Sequence, residues 1–147
     1  MTDRRVQIAL ALLRISSGVL FFQHAFPHLF GTLGGYQGTP GRTAEAFSRS
    51  WVAGVLELVG GPLLVLGLFT RPVAFVLSGT MAFAYFLVHA PRGPFPIVNR
   101  GEPPALYAFI FLFLAAAGAG AWSVDGWLAR RRAGSGAAAG AAAGAAS

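Results

Sequence analysis

Three side chains that can carry charge or exchange protons lie within one apolar stretch near the start of the chain. Arg14, His24 and His28 all fall within residues 6–30, a segment otherwise rich in Leu, Ile, Val and Phe. At about 100° per residue on a helix, His28 lies about 40° from Arg14, and His24 about 80° from it. The three side chains therefore form one stripe. Because ionisable groups are costly in a membrane interior, such a stripe indicates a functional site or a helix contact.

A carboxyl group, Glu57, lies in the next apolar stretch. Gly54 and Gly61 lie three residues before it and four residues after it, on the same helical face. Small residues let helices approach closely in membranes, so Glu57 should project from a helix contact and not toward lipid. A carboxyl beside a histidine can take part in general acid–base chemistry. A buried Glu paired with Arg14 or a His can also do no more than fix helix packing.

Depth along the helices decides which of these side chains can meet. With a rise of about 1.5 Å per residue, Glu57 and His24 lie on the outer side of their segment midpoints and Arg14 on the inner side. We therefore expect a polar cluster in the outer half, closed by a loop. The expected members are His24, His28, Glu57, Tyr85 and His89, with Asn99 and Glu102 from the loop. Arg14 reaches either to Glu57 or inward toward Asp125.

Four apolar stretches carry these residues, and they cover residues 6–30, 51–69, 72–89 and 105–122. Each approaches the roughly 20 residues that a helix needs to cross the hydrocarbon core. Backbone groups in hydrocarbon must be bonded within the segment, which favours helices. Residues 70–72 are expected to form a tight turn, and Pro27 should kink or end the first helix. The sequence thus predicts an all-α integral membrane protein, an up-down four-helix bundle.

The composition excludes several classes of protein. Of the 147 residues, 55% are hydrophobic and only 11% are charged, whereas about a quarter of a soluble domain is charged. The chain has no cysteine, which excludes disulfides, thiolate metal sites and iron–sulfur clusters, and we predict no metal site. The net charge of +6 comes from arginines at the ends of the apolar stretches. That placement suits lipid headgroups and not nucleic acid.

The chain divides into a membrane domain, residues 1–130, and an Ala/Gly-rich tail, residues 131–147, which we expect to be flexible. With both termini inside, six loop arginines face inward and four face outward. The excess of positive charge on the inner side therefore predicts that both termini are cytoplasmic.

Several segments, taken in order, resemble the DoxX family of small four-helix membrane proteins. They are His24–Gly31, Glu57–Gly61, Leu66–Arg71, His89–Pro96, Asn99–Glu102 and Trp122–Asp125. The resemblance covers about residues 6–128. In the first segment the chain has Ala25 where the family typically has Gly, and His28 where it has Lys.

The resemblance implies a function in membrane redox complexes. The family is named for subunits associated with a thiosulfate:quinone oxidoreductase, which implies a multi-pass protein of the bacterial plasma membrane with oxidoreductase partner subunits. The chemistry is then linked to a quinone or to a sulfur compound, and a quinone is a candidate cofactor. Glu57 and His24 are the candidate catalytic residues: His24 or Tyr85 would bind the quinone carbonyl, and Glu57 would exchange protons. The remaining cofactor-binding candidates are Arg14, His28, Tyr85, His89, Asn99 and Glu102.

Other functions stay open at this point. The protein could be a non-enzymatic membrane scaffold that assembles partner enzymes. It could also be a proton-coupled permease, although four helices leave little room for alternating access without a homo-oligomer. A haem between His24 or His28 and His89 is disfavoured, because His28 and His89 lie at segment ends.

Overall fold

The computed structural model describes residues 3–145, and this part of the chain is all-helical. Its α-helices are α1 (Arg4–Phe22), α2 (Ala25–Phe30), α3 (Arg49–Leu66), α4 (Thr70–Ala84), α5 (Pro96–Asn99), α6 (Glu102–Ala117) and α7 (Val124–Ala145). A π-helix, Tyr85–His89, and a 3₁₀ turn, Ala90–Arg92, continue α4, and a further 3₁₀ turn covers Tyr36–Gly38. The prediction of an all-α protein is confirmed.

Three helical stretches are long and apolar enough to cross a membrane. They are Arg4–Phe30 with 27 residues, Arg49–Leu66 with 18, and Thr70–Arg92 with 23. The helix α6 is apolar but has only 16 residues. The membrane-helix character predicted from composition is therefore confirmed for three stretches, and a fourth crossing remains a prediction.

The first stretch is interrupted near Pro27, as the sequence predicts. The helix α1 ends at Phe22, and His24 and Phe26 donate their backbone N–H groups only three residues back, to Phe21 and Gln23 at 3.1 and 3.3 Å. Pro27 is the third residue of α2, where a helix needs no N–H donor. The break therefore lies just before the proline.

The turn between the second and third stretches lies three residues earlier than predicted. Gly67, with φ 66°, ends α3, and Phe69 is also left-handed with φ 50°. Thr70 is already the first residue of α4, and Pro72 lies in its first turn, where its missing N–H costs nothing. The predicted turn at residues 70–72 is therefore wrong, because a proline fits a helix start as well as a turn.

The last apolar helix is also displaced from its predicted bounds of 105–122. Pro103 and Pro104 occupy the first turn of α6, so the helix begins at Glu102. It ends at Ala117, because Gly118 takes φ 92° and Gly120 φ 68°. The residues up to Trp122 form an irregular connection to α7.

The helices pack around small residues. The helix α4 packs along α6, while α3 packs along α1, α2 and α4. A Cβ atom added to Gly61 would lie 3.0 Å from the carbonyl oxygen of Gly18 and 2.7 Å from the Cβ of Phe22. Glycine thus lets α1 and α3 approach closely. Beside this contact lies a core built from Phe21, Leu64, Leu77, Phe111 and Leu114.

The Ala/Gly-rich tail continues α7. The structure describes a helical backbone from Val124 to Ala145, where the sequence predicts a flexible extension in which alanine favours helix and glycine opposes it. Alanine favours helix enough to offset the interspersed glycines. A helical backbone does not measure motion, so the expected flexibility stays a prediction. Residues 146–147 of this tail lie outside the described residues.

Candidate functional site

The centre of the site is a pair of side chains, the buried Glu57 and the partly buried His28. The Nδ1 atom of His28 lies 2.8 Å from Oε2 of Glu57, and Glu57 is only 4% exposed. The pair forms because α2 packs directly on α3 at Gly54, where an added Cβ would lie 2.8 Å from the Cβ of His28. Gly54 lies one turn before Glu57, so this close contact brings the imidazole to the carboxyl group.

The pair has a defined hydrogen-bond polarity when Glu57 is ionised. A carboxylate only accepts hydrogen bonds, so Nδ1 of His28 then carries the hydrogen. In a neutral ring, Nε2 is then a hydrogen-bond acceptor. Tyr36 packs against the imidazole, with ring centres 5.7 Å apart. The hydroxyl of Tyr36 lies 2.8 Å from Oγ of Ser50, which fixes the ring over the pair. The loop between α2 and α3 thus covers one side of His28.

The other side of the pair opens into a groove of about 670 Å³ between α3 and the end of α4. Its walls are mainly apolar and include Leu56, Phe83, Ala84, Leu87 and Val88. The polar side chains in it include His28, Glu57 and His89, and Arg49 and Arg92 also line it. An apolar cavity with a few convergent polar groups is the usual form of a small-molecule site.

The π-helix Tyr85–His89 forms part of this groove. Short π-helical segments widen a helix locally and are frequent at functional sites. The segment carries His89, whose Nδ1 lies 3.0 Å from the carbonyl oxygen of Asn99. The loop after the π-helix therefore folds back and holds the histidine at the groove.

Asn99 organises this loop. It is 2% exposed, its Nδ2 donates to the Gly93 carbonyl at 2.7 Å, and its Oδ1 accepts from the backbone N–H of Gly101 at 2.7 Å. Tyr85 packs behind the loop, since a Cβ on Gly101 would lie 2.7 Å from its ring. The structure therefore gives Asn99 and Tyr85 positions that support the loop, and neither lines the groove.

The structure does not bring all of the predicted cluster together. His28, Glu57 and His89 line one groove, as expected, but His24 is exposed and packs edge-on to Tyr107, with ring centres 6.3 Å apart. The helix break after Phe22 ends the regular spacing on which the placement of His24 depended. Glu102 is exposed in the first turn of α6. The catalytic or binding roles predicted for these residues stay predictions.

Arg14 lies elsewhere in the molecule. It is 0% exposed and donates to backbone carbonyls at the end of α3 and in the connection after α6. Its acceptors are Leu64, Val65 at 2.7 Å, Ala119 at 2.9 Å, Trp122 at 3.0 Å and Ala121 at 3.5 Å. Leu64 is seven residues after Glu57, which is about 10 Å along a helix. The predicted contact of Arg14 with Glu57 is therefore not formed.

Asp125 also bonds to backbone groups and not directly to Arg14. Its two carboxylate oxygens accept from the N–H groups of Phe69 and Thr70, each at 2.9 Å. Within residues 3–145, the structure has one contact between an acidic and a basic side chain, that of Glu57 with His28. Among the same residues, no three His, Asp or Glu side chains come together to hold a metal ion.

Sequence reasoning missed the part of the site that loops and helix irregularities supply. Tyr36, Ser50, Arg49 and Arg92 carry no periodic pattern that would place them at the groove. The one available signal was their position just before or after an apolar stretch, which also holds for other arginines of the chain.

Comparison with known proteins places the amino-acid sequence in a family. The DoxX family model matches residues 9–90, more than half of the chain, and the protein belongs to the DoxX family. An uncharacterized protein of Haemophilus influenzae is 51% identical over 76 residues, which cover 50% of this chain and 57% of the relative. The match thus spans little more than half the length of that relative. No solved structure matches the chain.

Proposed function

We propose that the protein is a membrane subunit of an oxidoreductase complex and that its groove binds a quinone. Membership of the DoxX family supports a membrane protein, and the groove beside the His28–Glu57 pair supports a ligand that exchanges protons. The observation that carries the proposal is the His28–Glu57 contact of 2.8 Å at an apolar groove.

The residues present fit a quinone head group. A quinone ring is flat and apolar with two carbonyl acceptors, so its site needs apolar walls and a hydrogen-bond donor. Leu56, Phe83 and Leu87 supply such walls, and His28 supplies a donor when its Nε2 carries the hydrogen. The groove volume of about 670 Å³ lies within the range usual for small-molecule sites.

The chain's own side chains would bind the quinone and transfer protons. A bound quinone would supply a two-electron, two-proton acceptor, with the electrons coming from a partner subunit. When Glu57 is protonated, its hydroxyl donates to Nδ1 of His28, and Nε2 then carries the hydrogen that would bond a quinone carbonyl. Transfer of that hydrogen to the carbonyl oxygen would be coupled to transfer of the Glu57 proton to Nδ1, so the pair would supply one proton and solvent the second. His89, fixed by Asn99, orients the head group from the π-helix. The proposal assigns to His28 the carbonyl contact that the sequence predicted for His24 or Tyr85.

The proposed topology has four crossings with both termini in the cytoplasm of a bacterial cell. Gln7 accepts from the N–H of Ala121 at 3.3 Å, and Gly67 accepts from Asp125 at 2.9 Å. These contacts put the start of α1, the α3–α4 turn and the start of α7 at one end, together with the more arginine-rich segments. If that end is cytoplasmic, α6 completes the fourth crossing despite its 16 residues.

Ligand binding tests the proposal directly. The affinity of the purified protein for a short-chain ubiquinone analogue should fall about tenfold or more in Ala84→Phe, which fills the groove. Ala116→Phe is the matched control, because Ala116 is exposed on α6 and does not line the groove. Equal affinity in both variants, or none in the parent protein, would rule out a quinone in this groove.

Turnover separates this proposal from a scaffold. Complexes copurified from native membranes should contain the same partner proteins with Glu57→Gln as with the parent chain, but their quinone reduction should be lost. Unchanged quinone reduction would instead support a scaffold that assembles its partners.

A further inference from the structure

A second cavity, of about 740 Å³, lies beside the groove. It is formed by the loop between α2 and α3 together with the start of α3, and we call it the basin. Its side chains include Tyr36, Arg42, Glu45, Ser48, Arg49 and Trp51. This lining contains two guanidinium groups and one carboxylate, so the basin carries excess positive charge.

The basin is held in shape by contacts within the loop. The guanidinium of Arg42 lies 5.7 Å from the centre of the Tyr36 ring, and the Tyr36 hydroxyl lies 2.8 Å from Ser50. The backbone N–H of Tyr36 donates to the carbonyl of Arg42 at 2.8 Å. Arg42 is thus positioned before any ligand arrives, which lowers the entropic cost of binding an anion.

The same loop carries apolar side chains that indicate its depth. Phe47 is 85% exposed, and its ring packs on Trp51 with centres 5.2 Å apart. Leu33 is exposed on the same loop. Exposed aromatic and aliphatic side chains beside arginines, at the start of a membrane-spanning helix, are typical of the headgroup region. The basin therefore lies at the level of the lipid headgroups.

We propose that the basin binds the phosphate group of an anionic phospholipid. Arg42 and Arg49 pair with the phosphate, since guanidinium groups match its geometry. Leu29 and Trp51 line the basin, and Phe47 lies against Trp51, so the glycerol and acyl chains leave over an apolar edge into the bilayer. A soluble phosphate would use the arginines but not this edge, which favours a lipid.

The site is independent of the quinone proposal. Arg49, Tyr36 and Ser50 line both the basin and the groove, so a lipid in the basin lies next to the groove. Arg42 and Glu45 line the basin and not the groove, so substitutions of these two residues leave the lining of the groove unchanged. Lipid retention and quinone affinity are measured in separate assays. Failure of one proposal would therefore not count against the other.

Native mass spectrometry of the full chain tests the proposal. Protein in detergent with phosphatidylglycerol should retain one lipid, and protein with phosphatidylcholine should retain far less. Retention of phosphatidylglycerol should fall about twentyfold in Arg42→Gln/Arg49→Gln, from roughly fivefold for each arginine near an anionic surface. The control Arg4→Gln/Arg100→Gln removes the same charge outside the basin and should keep the lipid.

Two further measurements keep the result decisive. Glu45→Gln removes the carboxylate from the basin and should raise phosphatidylglycerol retention, which tests the site even if the double variant fails to fold. Inorganic phosphate in excess should displace the lipid only weakly. Equal retention of both lipids, equal loss in the control, or full displacement by phosphate would overturn the proposal.

Discussion

The two ends of the helical bundle treat buried ionisable groups in opposite ways. At the closed end, Arg14 is fully buried and its three guanidinium nitrogens donate to five backbone carbonyls. At the open end, Glu57 bonds to one histidine, and both side chains border a groove of about 670 Å³. Both groups are almost fully buried, but Arg14 is surrounded by backbone acceptors, whereas Glu57 borders a cavity.

This difference distinguishes Arg14, which holds the fold together, from the His28–Glu57 pair, which can take part in chemistry. An arginine has five N–H donors, and Arg14 has five acceptors, so nothing is left for a ligand. Its acceptors come from the end of α3 and the connection after α6, so it joins three parts of the chain. The His28–Glu57 pair has an acid, a base and an adjacent cavity, which are the elements of proton transfer.

Removal of the arginine at the closed end should have the largest effect on stability. Arg14→Met leaves several buried carbonyls without a donor, and each orphaned group costs about 1–3 kcal/mol, so we expect a loss of about 4 kcal/mol or more. The thermal midpoint in detergent, followed by circular dichroism, measures it.

Arg71→Met is the control for this loss. Arg71 is exposed and makes one long contact of 3.4 Å, with the carbonyl of Ala115, so its replacement should change the midpoint little. If Arg14→Met and Arg71→Met had the same thermal midpoint, the stability of the closed end would not depend on its buried arginine.

Gly67→Ala should have the next largest effect, because it crowds the same end from the backbone side. Gly67 has φ 66°, and an added Cβ would lie 2.7 Å from Nη1 of Arg14 and 2.6 Å from the Cβ of Ser123. We expect a loss of about 3 kcal/mol in the free energy of unfolding, from backbone strain and overpacking together. Denaturant titration of Gly67→Ala, beside the parent chain, would measure it.

Gly38→Ala isolates the backbone contribution. Gly38 has φ 75° but no atom within 4 Å of an added Cβ, so only strain of about 1 kcal/mol should remain. Equal losses of unfolding free energy in Gly67→Ala and Gly38→Ala would mean that Arg14 and Ser123 can shift to accommodate the added Cβ.

Much of the fold follows from the sequence, because it depends on patterns with a physical period. Apolar length predicts the helical stretches, and Pro27 predicts the break in the first one. The boundaries are less certain, since Pro72 fits the first turn of a helix as well as a loop, and Gly118 ends α6 before the apolar residues end.

The candidate site was only partly predictable for the same reason. Glu57 with its flanking glycines follows a helical period, and the close contact at Gly54 is formed as that period indicates. His24 was misplaced because the helix break resets the angle between residues. Tyr36 and the π-helix could not be predicted, since loop folding and a changed helical pitch depend on tertiary contacts and not on local pattern.

The smallest stability effect should come from the open end, in Glu57→Gln. The amide has nearly the shape of the carboxyl group and keeps a hydrogen bond to His28, so we expect a change within about 1 kcal/mol in the free energy of unfolding. Arg14→Met, measured under the same conditions, supplies the scale for comparison. A loss at Glu57 as large as that at Arg14 would make the pair a structural element, and a quinone role for the groove would lose its main support. A small loss combined with abolished quinone reduction would show instead that the two ends divide stability and chemistry between them.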